Sequence, residues 1–210
     1  MEHTLTLTRR QRNRAITIQA ILDTARAIMR EEGVAALSMQ ELARRMDMRA
    51  PSLYNYFSGK MEIYNALFRL GFNLWNETLM ELSKGSTSFQ EELRSVIEGY
   101  LSFALENPEL YQLCFERPVP GFVPSPESLE LSFDILRRSV QRVEHFRSEL
   151  NTDLTSEQIV NLVIAVSHGI TAMHLANEPH LAVGQGRFGS LIPVAVNMLE
   201  KTLIEKGESQ

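Results

Sequence analysis

SMQELARRMDMRAPSLYNYFSGK, residues 38–60, decides the fold. Ser38 is placed to cap a helix start by accepting from a free backbone N–H, and Glu41, three residues on, is placed to complete a capping box. Met39, Leu42, Ala43 and Met46 recur at helical spacing and give that helix one apolar face. Asp47, Met48 and Arg49 leave the pattern, and Pro51 suits the first turn of a new helix, where its missing N–H would be unpaired in any case. Asp47 falls in the turn, and Asp tolerates left-handed backbone better than most residues. The second helix is read from Ala50 to Tyr56, burying Leu53 and Phe57 and turning Ser52, Asn55 and Tyr56 outward. Such a short helix of mostly small residues fits a B-DNA major groove, about 12 Å wide.

Working outward, Ile18, Ile21, Leu22, Ala25, Ile28 and Met29 form one stripe, and Gly33 stops that helix. Beyond Ser58 a helix runs to about Leu82 with Ile63, Leu67, Leu70 and Leu74 inward. At about 1.5 Å per residue its roughly 24 residues span about 36 Å. Lys84–Ser88, KGSTS, is a linker, and Ser88 with Glu91 suggests another capping box. The next helix ends near Asn107, and Pro108 opens a short one carrying Leu110, Tyr111, Leu113, Cys114 and Phe115. RPVPGFVPSP, residues 117–126, has four prolines in ten residues and is read as a stiff extended connection. A helix from about Pro126 to Leu150 follows. Thr155 and Gln158 cap the penultimate helix, a loop spans Glu178 to Gly186, and a last helix runs from about Arg187 to Lys206. With no strand pattern or repeat, the fold class is all-α, with about nine helices.

The run ITIQAILDTARAIMREEGVAALSMQELA, the core RAPSLYNYFSGK and the helix after it resemble the N-terminal domain of TetR-type bacterial transcriptional regulators, over about residues 13 to 75. Tyr54, Tyr56, Phe57 and Lys60, in the pattern LYxYFxxK, are the most specific part. FALENPELYQLCF, RPVPGFVPSPES and the SHG of VSHGITAM resemble one subgroup of the family's regulatory domains, which carries a Trp-His-Gly or related triplet. Here Ser167 replaces the Trp. The resemblance implies four parts: a flexible basic arm over 1–15, a helix-turn-helix DNA-binding domain over 16–60, a connecting helix over 61–82, and a ligand-binding and dimerisation domain over 83–210.

Length and charge agree with that division. The chain has 210 residues, 44% of them hydrophobic, enough for a buried core. Its net charge of −5 divides unevenly: residues 1–60 hold ten Lys or Arg and six Asp or Glu, leaving the acidic excess to the remainder. A basic end that attracts phosphate and an acidic body that stays off the duplex suit a DNA binder. One cysteine, Cys114, excludes an internal disulfide framework and suits a reducing cytoplasm; it reads as a small core hydrophobe or a redox sensor. Gln19 and Asp23 interrupt any apolar export signal after the N-terminal arginines. Ile159–Asn177 is uncharged, but Asn161, Ser167, His168, Thr171 and His174 lie around its circumference, so it is read as buried in a soluble bundle and no membrane is expected.

DNA contacts are assigned by position from the resemblance and by chemistry from the side chains. Ser38, Tyr54, Tyr56 and Lys60 are phosphate candidates, since hydroxyls and ammonium groups set register on the duplex. Gln40, Arg49, Ala50, Pro51, Ser52 and Asn55 are base-edge candidates; Gln40 and Asn55 can pair with adenine, and Arg49 with guanine. Tyr54 has a second reading as a core residue, and Arg44 and Arg45 read as solvated charge. The four arginines Arg9, Arg10, Arg12 and Arg14, in an arm expected to be disordered without DNA, suit a minor groove.

One motif reads one half-site, so a homodimer on a palindromic operator is expected. Ala165, Gly169, Ala172 and Ala176 form a small-residue stripe on the penultimate helix, and Phe188, Leu191, Ile192, Ala195 and Leu199 an apolar face on the last. Together they suggest a four-helix interface, or packing within one subunit. Trp75, Tyr100, Phe103, Tyr111, Phe115, Phe122, His168 and Met173 offer apolar walls with polar tips for an apolar small-molecule effector, or else core. His168 is read as a satisfied buried histidine or a ligand hydrogen-bonder. It lies six residues from His174, off one helical face, so no metal is expected. No cofactor or catalytic motif is legible, and an enzyme is not expected. A repressor gated by an effector is the reading; a helix-turn-helix adaptor for proteins, and an all-helical enzyme, are the alternatives.

Overall fold

A computed structural model describes residues 8–204. Along the chain run α1 (Arg9–Glu32), α2 (Met39–Arg45), α3 (Ala50–Leu53), α4 (Lys60–Ser83), α5 (Phe89–Glu106), α6 (Pro108–Tyr111), α7 (Pro126–His145), α8 (Ser156–Asn177), α9 (Gly186–Gly189) and α10 (Ile192–Leu203), with no strand among the described residues. Single 3-10 turns lie at Val34–Ala36 and Arg147–Glu149, and a π-helical turn at Gln112–Glu116. The all-α class is therefore observed.

Two compact units result. Among the described residues, one holds 8–70 together with Glu109–Ser125; the other holds Gly71–Pro108 and 126–204. This differs from a linear cut at residues 60 and 82, because a stretch between α5 and α7 folds into the N-terminal unit. The reasons are specific. Glu109 accepts from Arg26 and Arg30 of α1, Phe122 lies 5.7 Å from the Tyr64 ring and 6.2 Å from Phe68, and Asn65 and Ser125 exchange hydrogen bonds. The proline-rich segment is not the extended connection expected: Arg117 is left-handed at φ 52°, the Phe122 N–H closes a turn on the Val119 carbonyl at 3.2 Å with Gly121 at φ 75°, and the whole is a packed strap.

In the N-terminal unit the stripe of α1 buries Ile21, Ala25, Ile28 and Met29, alongside Leu42 and Ala43 of α2, Leu53 of α3, and Ile63, Tyr64, Leu67 and Phe68 of α4. The Tyr64 hydroxyl donates to the Val34 carbonyl at 2.7 Å, so the buried phenol is satisfied, and burial raises its pKa. Cys114 is buried with its thiol on the Phe68 carbonyl at 3.6 Å, and burial pushes the thiol pKa up, which favours the core reading over a redox sensor.

The arm expectation is corrected. Thr8 and Gln11 make a full capping box, so the helix starts at Arg9, well ahead of its apolar stripe. Residues 1–7 of that arm, and the expected helix end at Lys206, lie outside the described residues.

The second unit packs Phe89, Leu93, Ile97 and Leu101 of α5 with Val143 of α7, Phe146, Ile159 and Val160 of α8, and Ile192, Val196, Leu199 and Leu203 of α10. Thr155 and Gln158 form the expected capping box of α8. The single last helix is corrected to α9, a turn at Ser190 and Leu191, and α10, whose first turn holds Pro193. Helix α8 is long and apolar enough by composition to cross a membrane, yet only 28% of its most apolar window is buried. It is not the enclosed helix expected; one apolar flank faces outward.

Candidate nucleic-acid interface

Ser38 caps α2 as expected, its Oγ accepting from the Glu41 N–H at 3.2 Å. Glu41 leaves the reciprocal half of the box unmade. Its carboxylate instead accepts from Arg44 Nη2 at 2.7 Å and from Arg45 Nε at 2.8 Å, and these guanidiniums, Arg44 first, hold the Glu41 pKa down at about 2. Arg45 reaches on to Glu31 at 2.6 Å and to Glu32, tying the end of α1 to α2. The solvated-charge reading is thus corrected for Arg45, whose side chain is 21% exposed and held by three carboxylates, while Arg44, 72% exposed, keeps it. Their spacing from Glu41, three and four residues, was the available signal; the reach to α1 carries none.

The turn takes its shape from Asp47, at φ 52°, after which Met48 N–H closes back on the Ala43 carbonyl at 2.9 Å. Helix α3 follows with Pro51 in its first turn and stops at Leu53 instead of Tyr56. The Tyr56 N–H bonds the Leu53 carbonyl three residues back at 2.9 Å, a tighter winding than an α-helix, and Phe57 is buried to close the domain.

All ten candidate contact residues lie in the N-terminal unit, and none is buried. Gln40, Arg49, Pro51, Tyr54, Asn55 and Lys60 are exposed; Ser38, Ala50, Ser52 and Tyr56 are half-buried. Tyr54 is 55% exposed, which removes its core reading. Lys60 opens α4, beside a Ser58 N–H that Glu62 accepts at 2.5 Å. Sequence reasoning gave Arg14 no place in this domain. Its Nη1 donates to the Asn55 carbonyl at 2.9 Å and its guanidinium sits 5.2 Å from the centre of the Tyr56 ring.

The arrangement is two helices about a tight left-handed turn, with polar side chains outward on the second and its entry and exit fixed by caps and ion pairs. Residues 21–67 match the family model described as bacterial regulatory proteins, tetR family, and residues 93–187 match a Tetracyclin repressor-like, C-terminal domain. The chain belongs to the TetR family. Its N-terminal unit carries the family's helix-turn-helix, and the class is that of DNA-binding transcriptional regulators.

Individual comparisons give relatives named as transcriptional regulators and solved structures of the same fold. The uncharacterized HTH-type transcriptional regulator YobS of Bacillus subtilis is 33% identical over 101 residues, 46% of this chain and 50% of that protein. The chain spans about half the length of the curated relatives it matches. Among solved structures, a TetR family transcription regulator from Marinobacter aquaeolei VT8 shares 17% identity at a TM-score of 0.71, covering 94% of this chain and 100% of that one. The transcriptional regulator FadR from Bacillus subtilis in complex with stearoyl-CoA shares 16% at 0.64, covering 86% and 96%. At these identities the likeness is one of fold.

The effector candidates of this TetR-family chain are divided by the structure. Tyr111, Phe115 and Phe122 belong to the N-terminal unit, while Trp75, Tyr100, Phe103, His168 and Met173 belong to the other. In the latter, Trp75 meets Tyr100 edge-on at 5.2 Å and Phe103 at 5.5 Å, and the Tyr100 hydroxyl lies 3.4 Å from His168 Nδ1. Met173 is corrected: it is 46% exposed and walls no interior. The interface candidates are corrected in part too. Ile192, Ala195 and Leu199 are buried within their own unit, while Ala165, Gly169, Ala176 and Leu191 are exposed and Ala172 and Phe188 half-buried. The outward face of α10 is instead Leu191, Val194 and Met198, and that of α8 adds Ile164 and Met173.

Proposed function

We propose that this TetR-family regulator is a cytoplasmic repressor that binds a palindromic operator as a homodimer and is released by a small, largely apolar effector. The observation that carries the DNA-binding part is the exposed polar row Gln40, Arg49, Tyr54, Asn55 and Lys60, with half-buried Ser52 among them, on and beside helices tied from behind by ion pairs. Side chains at those positions offer amide and guanidinium groups to base edges and hydroxyl and ammonium groups to phosphates. The outward flank of α8 and α10 supports the dimer: Ile164, Leu191, Val194 and Met198 are large and exposed, and a Cβ added at Gly169 would meet nothing within 4 Å. An apolar flank of that extent beside a small-residue stripe suits a second copy, which would place two reading helices on successive half-sites. Relay of effector binding is assigned to the two chain segments that enter the N-terminal unit from the other, α4 and the stretch 109–125. The effector must bind the two conformations with different affinity to act at all. The Ser167-His168-Gly169 triplet supports the Trp-His-Gly subgroup for the regulatory half.

The test is selection of genomic fragments by the full chain, with light scattering on the same preparation. Retained fragments sharing an inverted repeat, and a dimer that Val194→Glu converts to monomer with loss of that retention, are expected. A monomer that still binds as one unit overturns the dimer. Retention of proteins but no fragments returns the adaptor reading. Stearoyl-CoA, bound in the FadR structure, is a first compound to test for release.

A further inference from the structure

Helix α1 breaks a local rule at its start. Its first turns carry Arg9, Arg10, Arg12 and Arg14 and its first turn holds no acid, although the positive end of a helix dipole favours anions and disfavours cations. Arg9 and Arg10 are exposed and have no acidic partner among the described residues. Two of the backbone amides there, those of Thr8 and Gln11, are already taken by the capping box. What remains unmatched is side-chain charge. Local rules are broken in this way at functional sites more often than elsewhere.

The neighbourhood says which anion. Arg9, Arg10, Asn13, Arg14 and Thr17 line a cleft of about 840 Å³ whose other wall is Asn55 and Tyr56, the exit of the reading helix. Arg14 is already committed, donating to the Asn55 carbonyl and lying over the Tyr56 ring, so it fixes that wall. Arg9 and Arg10 are left to offer planar donor forks, which suit phosphate. A helix with side chains is ~10–12 Å across, too thick for a minor groove about 6 Å wide, so the start of α1 does not lie in one as an extended arm would.

We propose that the cleft between the start of α1 and Asn55–Tyr56 is a phosphodiester-binding site for duplex DNA, with Arg9 and Arg10 as phosphate ligands and Arg14 as a positioning residue. The site rests on the DNA-binding reading above and extends its footprint from α2, α3 and Lys60 onto α1. Contacts there are blind to base sequence.

The experiment measures affinity of the full chain for a labelled mixed-sequence duplex across a salt series. For the double variant R9Q/R10Q the slope of log affinity against log salt becomes shallower by about 1.8 per protomer, or about 3.6 for the homodimer, since each phosphate contact contributes about 0.9. Its thermal midpoint stays level or rises, because two cations leave the positive end of α1. Arg14→Lys keeps the slope but weakens binding to a selected operator, as expected for a group that acts through Asn55 and Tyr56. An unchanged slope in R9Q/R10Q, with wild type binding normally, overturns the site. An equal loss of slope in Arg138→Gln, an exposed arginine of α7, overturns it too, by making the effect one of total charge. A lost slope in Arg14→Lys overturns the positioning role. No duplex binding by wild type overturns the DNA reading itself, and the site with it.

Discussion

Among the described residues each compact unit buries one glutamate, and the two are held differently. Glu109, on the single turn of α6, has a fully buried side chain whose Oε1 accepts from Arg26 Nε at 2.7 Å and whose Oε2 accepts from Arg30 Nε at 3.0 Å and Nη2 at 2.8 Å. Glu92, on α5, shares its load: Oε1 accepts from the Ser83 hydroxyl at 2.8 Å and Oε2 from Arg142 Nη2 at 3.2 Å. Arg142 also donates to the Ser83 and Ser86 carbonyls at 2.9 and 3.3 Å and lies 4.7 Å from the Phe146 ring. The first is a concentrated charge clamp that ties the strap 109–125 to α1. The second is a spread network around a linker, in which no single bond is indispensable.

That difference predicts an order. Glu109→Gln leaves two guanidiniums facing an amide, and breaking a buried pair typically costs ~3–5 kcal/mol. Arg30 is half exposed and can turn to water, so the lower end of that range is expected. Glu92→Gln keeps an acceptor for Ser83 and leaves Arg142 its two carbonyls, so about 1–2 kcal/mol is expected. Urea midpoints of the two variants test this, and hydrogen exchange should show the extra loss in Glu109→Gln at Leu110–Cys114. Equal costs, or the reverse order, break the distinction between clamp and network.

Neither glutamate was legible in the sequence, for a physical reason. Arg26 and Glu109 are 83 residues apart, and a pairing at that distance leaves no trace in periodicity or capping. The helix-turn-helix was legible because its determinants are local: a serine cap, an Asp47 able to take positive φ, a proline in a first turn, and Leu53 and Phe57 on one side. The faces of α10 were not, because Leu191, Ile192, Val194, Ala195, Val196, Met198 and Leu199 surround the helix with apolar groups and leave the inner side unmarked. The start of α1 escaped for the opposite reason. Its first two turns have no apolar stripe, and only the Thr8 and Gln11 pair announces the helix.

Local and distant restraints can be weighed against one another through Ser38→Ala. Removing an N-cap hydroxyl typically costs ~1 kcal/mol, less than the concentrated clamp and about equal to the spread network. The seven-residue α2 has little else to hold its first turn, so the loss should fall on duplex affinity as well as on the urea midpoint. A Ser38→Ala cost above that of Glu109→Gln would mean that the capped turn, and not the strap, sets the stability of the N-terminal unit.

The smallest effect belongs to Glu41, where the ion pairs are exposed and screened by salt. Hydrogen bonds from Arg44 and then Arg45 lower its pKa from 4.5 to about 2. A carboxyl whose folded pKa is depressed contributes stability that is fully present above its unfolded value and lost as pH falls through the folded one. The stability difference between wild type and Glu41→Gln should therefore be flat above about pH 4.5, close progressively down to about pH 2, and shrink at high salt at every pH. A difference that persists at pH 2, or that ignores salt, would assign the Glu41 contribution to packing of the α2 stem and not to its charge.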